Sequence, residues 1–488
     1  MATTAAAEQT SSTPSTPGQG PAQTGRRVYV ETPVEAFTTP TPHALSPIIY
    51  LERCKGGCMI NKGSTNDARQ NQSTIPTQPG AHMVQEYQNA AGLTGTAADA
   101  EWNAVLTCMK EVYSPFNVMV TDVKPTTGVS FHLALLAGNP GDIGLGNDIL
   151  GIAPLAGDCS PQDNVISFSF ANHHSKQDPQ RVFNLCWTAA QESAHAFGLD
   201  HEFAFQDGSS SCRDPMTYRS DCGGQRFYRN EVATCGEFEA RPCKCGGTQN
   251  SHLKIQSVFG PGTPTTGNPT VNVTLPLPNT TLGAVVAAQA GSKRGVSRVE
   301  LFLNGFKWAE AKGAGFGANG QANPSPYTIT VPQNVPNSII DVQVRAYDDL
   351  GGFTDSAKVT VTKGAACDPS VDSCAKGQKC EGGRCFWDPP SGEIGDECTY
   401  GQFCKSLMCA GTADEQICTQ ECIPGVNDSC PENLDCVMQS PGKGVCFFGG
   451  EDGGCCSVNR DSNGWMPGAF GALLFGIFVV LRPRRRGR

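Results

Sequence analysis

From Ala189 to His201 the chain reads AAQESAHAFGLDH. Residues 191 and 195 lie four apart, so a helix puts their side chains on one face, one turn apart. Two donors at that offset can grip a single cation. Gly198 lets the chain turn back, and His201 can then meet the same ion from the loop. Glu192 sits beside the pair, where a carboxylate can hold a metal-bound water and take its proton. The metal called for is zinc, with His195 and His201 as ligands. The first donor position holds Gln191, whose neutral amide oxygen binds zinc less well than an imidazole. Three outcomes stay open at this point. Gln191 coordinates through its side-chain oxygen, another group stands in for it, or the site is empty and the domain only binds polypeptide.

Further on, DPMTY (214–218) sets Met216 in a tight turn after the third ligand position. With Glu192, His195, Gly198, His201 and Met216 in this order, the chain resembles the metzincin clan of zinc metalloproteases over residues 46–257, with Gln191 as the departure. The resemblance implies an α/β catalytic domain, a zinc cofactor and a polypeptide substrate. It gives Glu192 the role of base. Tyr218 would be a substitute ligand or a donor to the oxyanion, as in the astacin and serralysin branches. Asp200 is expected to orient a liganding imidazole, and Asp214 to serve the turn. SFSF (167–170) is the expected edge strand for an extended substrate. His173 and His174 read as a solvated loop pair. The function implied is a surface-displayed or secreted endopeptidase. The alternative is an inactive surface binding or adhesion protein on the same scaffold.

These groups need a frame. DPQRVFNLCWTAAQESAHAFG (178–198) is the expected site helix, with Asp178 as N-cap, Pro179 at its first position and Gly198 as its stop. A second amphipathic helix is expected in AADAEWNAVLTCMKEVYSPF (97–116), and strands in SPIIYLERC, NVMVTDV, GVSFHLALLAG and NVISFSF.

Residues 1–45 read as a disordered Thr/Ser/Pro-rich tail, and 258–269 as a linker. Residues 270–363 alternate in short β-type runs around Asn304-Gly305, a hairpin signal. They resemble a bacterial immunoglobulin-like sandwich without its intersheet cysteines. Residues 364–450 carry Cys-rich repeats with too few apolar residues for a core, a stapled stalk. Residues 451–488 hold Cys455 and Cys456, a short apolar stretch from Met466 to Leu481 and a terminal Arg cluster. They resemble the myxobacterial C-terminal sorting tail, which implies a transmembrane helix, processing near the Cys pair and display at the cell envelope. The first 25 residues show no apolar h-region, so an exported chain calls for an earlier start or prior trimming.

The 24 cysteines fall in blocks of ten (54–245), twelve (367–446) and two. Even blocks point to disulfides closing within each block, and so to life outside a reducing cytosol. Cys186 is expected to pair with Cys159 or Cys108, and Cys212 with Cys222 around the Met216 turn. Cys54/Cys58 and Cys243/Cys245 lack the company of a zinc-ribbon tetrad and read as structural. A formal net charge of -10 argues against nucleic acid as a partner. A monomer is expected.

Overall fold

The computed structural model describes residues 25–38, 45–203, 214–219, 223–313, 324–371, 373–375, 377–387, 390–411, 416–422, 430–431, 434–440 and 443–448. Cys212, Cys222 and the whole C-terminal tail with Cys455, Cys456 and the apolar stretch lie outside them. Among the described residues no helix is long and apolar enough to cross a membrane. The chain divides into two units, residues 1–389 and 390–488.

The first unit begins with a six-stranded sheet. Its strands are β1 (Arg26–Thr32), β2 (Ile48–Glu52), β6 (Met119–Thr121), β7 (His132–Leu136), β8 (Ile149–Ala156) and β9 (Ile166–Ser169), in the order β1-β8-β9-β7-β2-β6. Only the β8–β9 pairing is antiparallel. The small strands β3 (Cys58–Lys62), β4 (Gln72–Ser73) and β5 (Ala81–Val84) form a separate sheet. Helices α1 (Asp99–Tyr113) and α2 (Arg181–Ala196) share one apolar core with Ile49, Leu51, Ala134 and Leu136 of the large sheet. Tyr50, Leu133, Leu135, Ile152, Ile166 and Phe168 build a second core with Ile60 and Val84 of the small sheet. Apolar residues therefore line both faces of the central strands, as burial on both sides requires.

Three expectations need correction. Residues 1–45 are not a tail throughout. RRVYVET carries the β-branched and aromatic run Val28-Tyr29-Val30 and pairs as β1 along the whole of β8. The SFSF stretch does not lie at the edge, because β9 sits between β8 and β7. Nor is Asp178 the N-cap: α2 starts at Arg181. Its carboxylate accepts from Gln180 N (2.8 Å) and Asn184 Nδ2 (2.6 Å), closing the turn before the helix. Of Cys186's two possible partners, Cys108 is the actual one, which staples α1 to α2, while Cys159 pairs with Cys245.

A short helix α3 (Ser251–Phe259) precedes a two-sheet β-sandwich. One sheet holds β10 (Thr270–Leu275), β11 (Val285–Gly291) and β14 (Ser325–Thr330). The other holds β12 (Arg298–Leu303), β13 (Phe306–Lys312), β15 (Ser338–Tyr347), β16 (Phe353–Asp355) and β17 (Val359–Lys363). Asn304 and Gly305 turn the β12–β13 hairpin with φ of 51° and 87°, the positive values a tight two-residue turn demands. The sandwich is joined to the first domain through a buried ion cluster. Asp349 binds Arg229 Nη1 (2.8 Å) and Arg294 Nε (2.7 Å), and Arg294 Nη2 also donates to Tyr228 O.

Cys367–Cys380 and Cys374–Cys385 interlock in the first Cys-rich repeat, which rests on the sandwich through Arg384–Asp341 and a bond from Asn304 Nδ2 to Cys385 O. In the second unit Cys398–Cys409 crosses Cys404–Cys418, and Cys422–Cys436 crosses Cys430–Cys446. Each repeat is thus a four-cysteine knot with 1–3 and 2–4 pairing. Cys54–Cys58 and Cys235–Cys243 are disulfides too, as expected of structural cysteines.

Candidate metal centre

Helix α2 is buried almost all round, and Gln191, Glu192 and His195 are within its buried stretch. At its end Gly198 has φ 88°, and a Cβ there would lie 2.1 Å from Cys159 O. Only glycine makes this turn, which sends the chain back to His201. The two imidazoles come together with ring centroids 4.7 Å apart at 81°.

What each imidazole does with its second nitrogen decides its chemistry. His195 Nδ1 lies 2.7 Å from Leu199 O, and a carbonyl can only accept. His201 Nδ1 lies 2.8 Å from Glu237 Oε1. That carboxylate is held at about 2, first by this hydrogen bond and then by Arg241. In the neutral tautomer of each ring the proton therefore sits on Nδ1 and the lone pair on Nε2. Neither Nε2 has a hydrogen-bond partner, though both are buried. Burial, and secondarily His201, lowers the pKa of His195 to about 3, so its ring is neutral at any ordinary pH. A neutral imidazole with an outer-side acceptor and an idle inner nitrogen is the form that ligates a metal.

The rest of the pocket is as exposed in its polarity. Both amide atoms of Gln191 and both carboxyl oxygens of Glu192 are buried without partners. Burial raises the Glu192 pKa well above the usual carboxylate range, opposed by Arg27. Strand β8 runs against it: a Cβ on Gly151 would lie 2.6 Å from Glu192 Oε1. Met216 is fully buried in the core that holds Ala190 and Ala194, and its N–H donates to Asp214 Oδ1 at 2.8 Å. Trp187 Nε1 donates to Pro215 O (2.7 Å), tying α2 to that turn. The Tyr218 ring stands 4.7 Å from that of His201, and its hydroxyl donates to Arg27 O. Burial raises the phenol's pKa, so it remains a donor.

Gln191 and His195 on one turn of helix, with His201 from the loop after it, make a donor set that fits a zinc ion, with Gln191 Oε1 as the weakest of the three. Asp200, His201 and Glu237 also cluster closely enough to suggest a metal. The carboxylates there are already engaged: Asp200 takes Arg241 at 2.6 and 2.9 Å and Lys244 N at 2.9 Å, while Glu237 serves the outer side of His201. Asp200 binds the backbone N–H of His201 rather than its ring, so Glu237 does the orienting expected of Asp200. Nothing in the residues around 237 has a motif's spacing. The available signal is Arg241 four residues on, inside a loop closed by two cysteines. Asp214 serves its turn as expected. His174 is buried near Thr188, so it is not the solvated residue expected, while His173 is partly exposed and binds Asn147 O.

No family model matches the chain, and no curated protein does. Among solved structures it is similar to the fibronectin(III)-like modules of Clostridium thermocellum CbhA, at 18% identity and a TM-score of 0.16. That match covers 27% of this chain, which spans 59% of the length of those modules.

Proposed function

We propose that residues 46–257 form a metzincin-like, zinc-dependent endopeptidase domain of an exported protein. The observation that carries this reading is the pair of idle, buried Nε2 atoms on His195 and His201, each ring locked in the ligating tautomer from its outer side. His195, His201 and Gln191 Oε1 would hold the ion. Zinc bound there would acidify a water and polarise a substrate carbonyl.

The chain's own groups supply the remainder. Glu192, once deprotonated, accepts a proton at a carboxyl oxygen and returns it to the departing amine. Its raised pKa suits both halves of that exchange. The Tyr218 hydroxyl, which already donates to a backbone carbonyl at Arg27, is the donor for the substrate's carbonyl oxygen. Glu237 and Leu199 O hold the imidazoles in place. The peptide would pair with β8, the strand beside Glu192, on the side that β1 takes in this structure, rather than with β9.

The disulfides support export. The Cys455/Cys456 tail would then direct display on the cell envelope, with the end removed on maturation. The knots and the sandwich would act as spacers. Gln191 favours a second reading, a non-catalytic binding protein on the same scaffold.

Zinc content and peptide cleavage of the parent, Gln191→His, Glu192→Ala and Tyr218→Phe separate the two. Gln191→His is expected to tighten zinc and raise cleavage. Glu192→Ala should keep zinc and lose cleavage, and Tyr218→Phe should lower cleavage by about 10²-fold. A parent without zinc, together with a Gln191→His variant that gains neither zinc nor cleavage, would leave the binding protein as the reading.

A further inference from the structure

Cys243-Lys244-Cys245 stands beside the centre, and both of its sulfurs are already bonded, Cys243 to Cys235 and Cys245 to Cys159. The first bridge closes the loop that carries Glu237. At the neck of that loop Cys235 N donates to Arg241 O at 3.0 Å and Arg241 N donates to Cys235 O at 2.7 Å. Gly236 N donates to His201 O at 3.0 Å, so the loop is stitched to the backbone of the second imidazole donor. The second bridge anchors the same short segment to Cys159. The carbonyl of Cys159 lies against Gly198, in the turn between the two imidazole donors, and accepts from Lys254 Nζ at 3.3 Å.

Lys244, between the two cysteines, adds a backbone contact. Its N–H donates to Asp200 Oδ2 at 2.9 Å, and Asp200 Oδ1 accepts the N–H of His201 at 2.7 Å. Arg241 spans both carboxylates. Its Nη1 donates to Asp200 Oδ2 at 2.6 Å, and its Nη2 donates to Asp200 Oδ1 at 2.9 Å and to Glu237 Oε1 at 3.0 Å. The same Glu237 oxygen meets His201 Nδ1 at 2.8 Å. The Glu237 side chain is 36% exposed, so on an open loop its carboxylate would be free to turn to water. The closed loop and Arg241 remove that freedom before an ion arrives, which is the sense in which a site is preorganised.

We infer that Cys235, Arg241 and Cys243 are positioning residues of the metal centre, which set its zinc affinity by holding Glu237 on the outer nitrogen of His201, with no sulfur on the ion. A donor set with Gln191 as its weakest member leaves the two imidazoles to carry the ion. The orientation of His201 therefore matters more than it would among three imidazoles. The effect on affinity rests on the zinc reading, and the positioning rests on the hydrogen bonds alone.

The test uses the full chain, Cys235→Ser/Cys243→Ser, Glu237→Ala and the variant that combines all three changes. Zinc sulfate is titrated against a chromogenic chelator. The cysteine variant and Glu237→Ala should each weaken zinc by about 10- to 100-fold. The combined variant should bind no more weakly than the weaker of the two, because the bridge acts through Glu237. Cys54→Ser/Cys58→Ser, which opens a bridge in the core around the small sheet, should leave zinc affinity unchanged. In metal-free protein the Nδ1 proton of His201, bonded to Glu237, should give a downfield NMR signal in the parent and none in the cysteine variant. Should that variant lose hydrogen-exchange protection over residues 45–203, Arg241→Gln replaces it, with both bridges intact and the same pattern expected. Unchanged zinc affinity in a folded variant, or losses that add in the combined one, overturn the inference, as does a His201 signal that survives the opened loop. A parent that binds no zinc, but loses the His201 signal when the loop is opened, upholds the positioning and overturns the zinc reading.

Discussion

In β15 of the sandwich the buried positions are Ser338, Ile340, Val342, Val344 and Ala346, and Asp341, Gln343 and Arg345 between them are only partly covered. In α2 burial runs almost all round the helix and takes Gln191, Glu192 and His195 with it. Both elements are central to their domains. The sandwich strand follows the alternation that apolar burial favours. The helix buries polar atoms that have no partner, at a cost of about 1–3 kcal/mol for each such group. A fold retains such a cost where something outside the chain is meant to meet those atoms. On the proposed reading α2 would be the functional element and the sandwich its support, a division that perturbation can break or sharpen.

The largest effect is expected from reduction. The sandwich has a continuous apolar core, and the sequence places no cysteine between Cys245 and Cys367. In residues 390–448 the buried cluster is three cysteines, Cys398, Cys404 and Cys418. Each bridge there is worth about 2–5 kcal/mol, more than so small a core can replace. Reductant should make 390–448 sensitive to limited proteolysis while 270–363 stays resistant, as read by mass spectrometry of the fragments. Equal sensitivity of the two would remove the contrast.

Next comes the join between site domain and sandwich. Arg229 and Arg294 hold Asp349 well below the usual carboxylate range, overcoming the burial that would raise it. Removing one partner of a buried pair costs about 3–5 kcal/mol. Asp349→Ala should lose that much in denaturant unfolding. Because the folded value is depressed, the stabilisation is present above about pH 3.9, the ordinary value of an aspartate, and fades as pH falls through the folded value. The parent should lose stability in acid where the variant does not. The cluster also reaches the site, since Asp214, which caps Met216 N, accepts from Arg229 N at 2.7 Å. A parallel fall in zinc affinity would show the sandwich to be part of the site's support.

The sequence made α2 and its donors readable because a helix converts spacing into position: 191, 195 and the turn at Gly198 needed no tertiary knowledge. The same holds for β2, β6, β7, β9 and α1, whose apolar periods are strong. Strand β8 was less readable, since Gly151 and Pro154 break its pattern. Gly151 is there because Glu192 lies against it, and the proline is tolerated on a strand whose β9 pairing covers only Gly151 and Ile152. Strand β1 was hidden by the composition of the Thr/Ser/Pro-rich stretches around it, and RRVYVET, with Val28, Tyr29 and Val30 in a row, does not alternate. Glu237 could not be read at all, because its role depends on a loop closed by Cys235–Cys243 and on a contact 36 residues away in sequence.

A smaller effect, of opposite sign, tests whether the open polar atoms of α2 are a cost. Gln191→Leu removes two unpartnered buried amide atoms at nearly constant volume. The domain without metal should gain about 1–2 kcal/mol, read from the denaturant midpoint. The same change should weaken zinc, because a donor is lost. Loss of stability instead would mean that the amide is satisfied within the fold and is not held open for an ion.

The smallest expected change lies at the entrance to the same helix. Asp178 is polar too, but its oxygens are engaged, by Gln180 N and by Asn184 Nδ2. Asp178→Ala strands those donors in a part-buried turn where water can partly replace the lost acceptor. The cost should be about 0.5–1.5 kcal/mol, the net worth of an ordinary hydrogen bond. In a domain of this size that is a shift of a few degrees in melting temperature, with zinc uptake unchanged because α2 begins only at Arg181. Set beside Gln191→Leu, it makes a paired experiment on one helix. Removing a polar group that is paired should destabilise, and removing one that is left open should stabilise. If both substitutions destabilise to a similar degree, burial around α2 is ordinary packing, and the case for an open metal-binding pocket weakens with it.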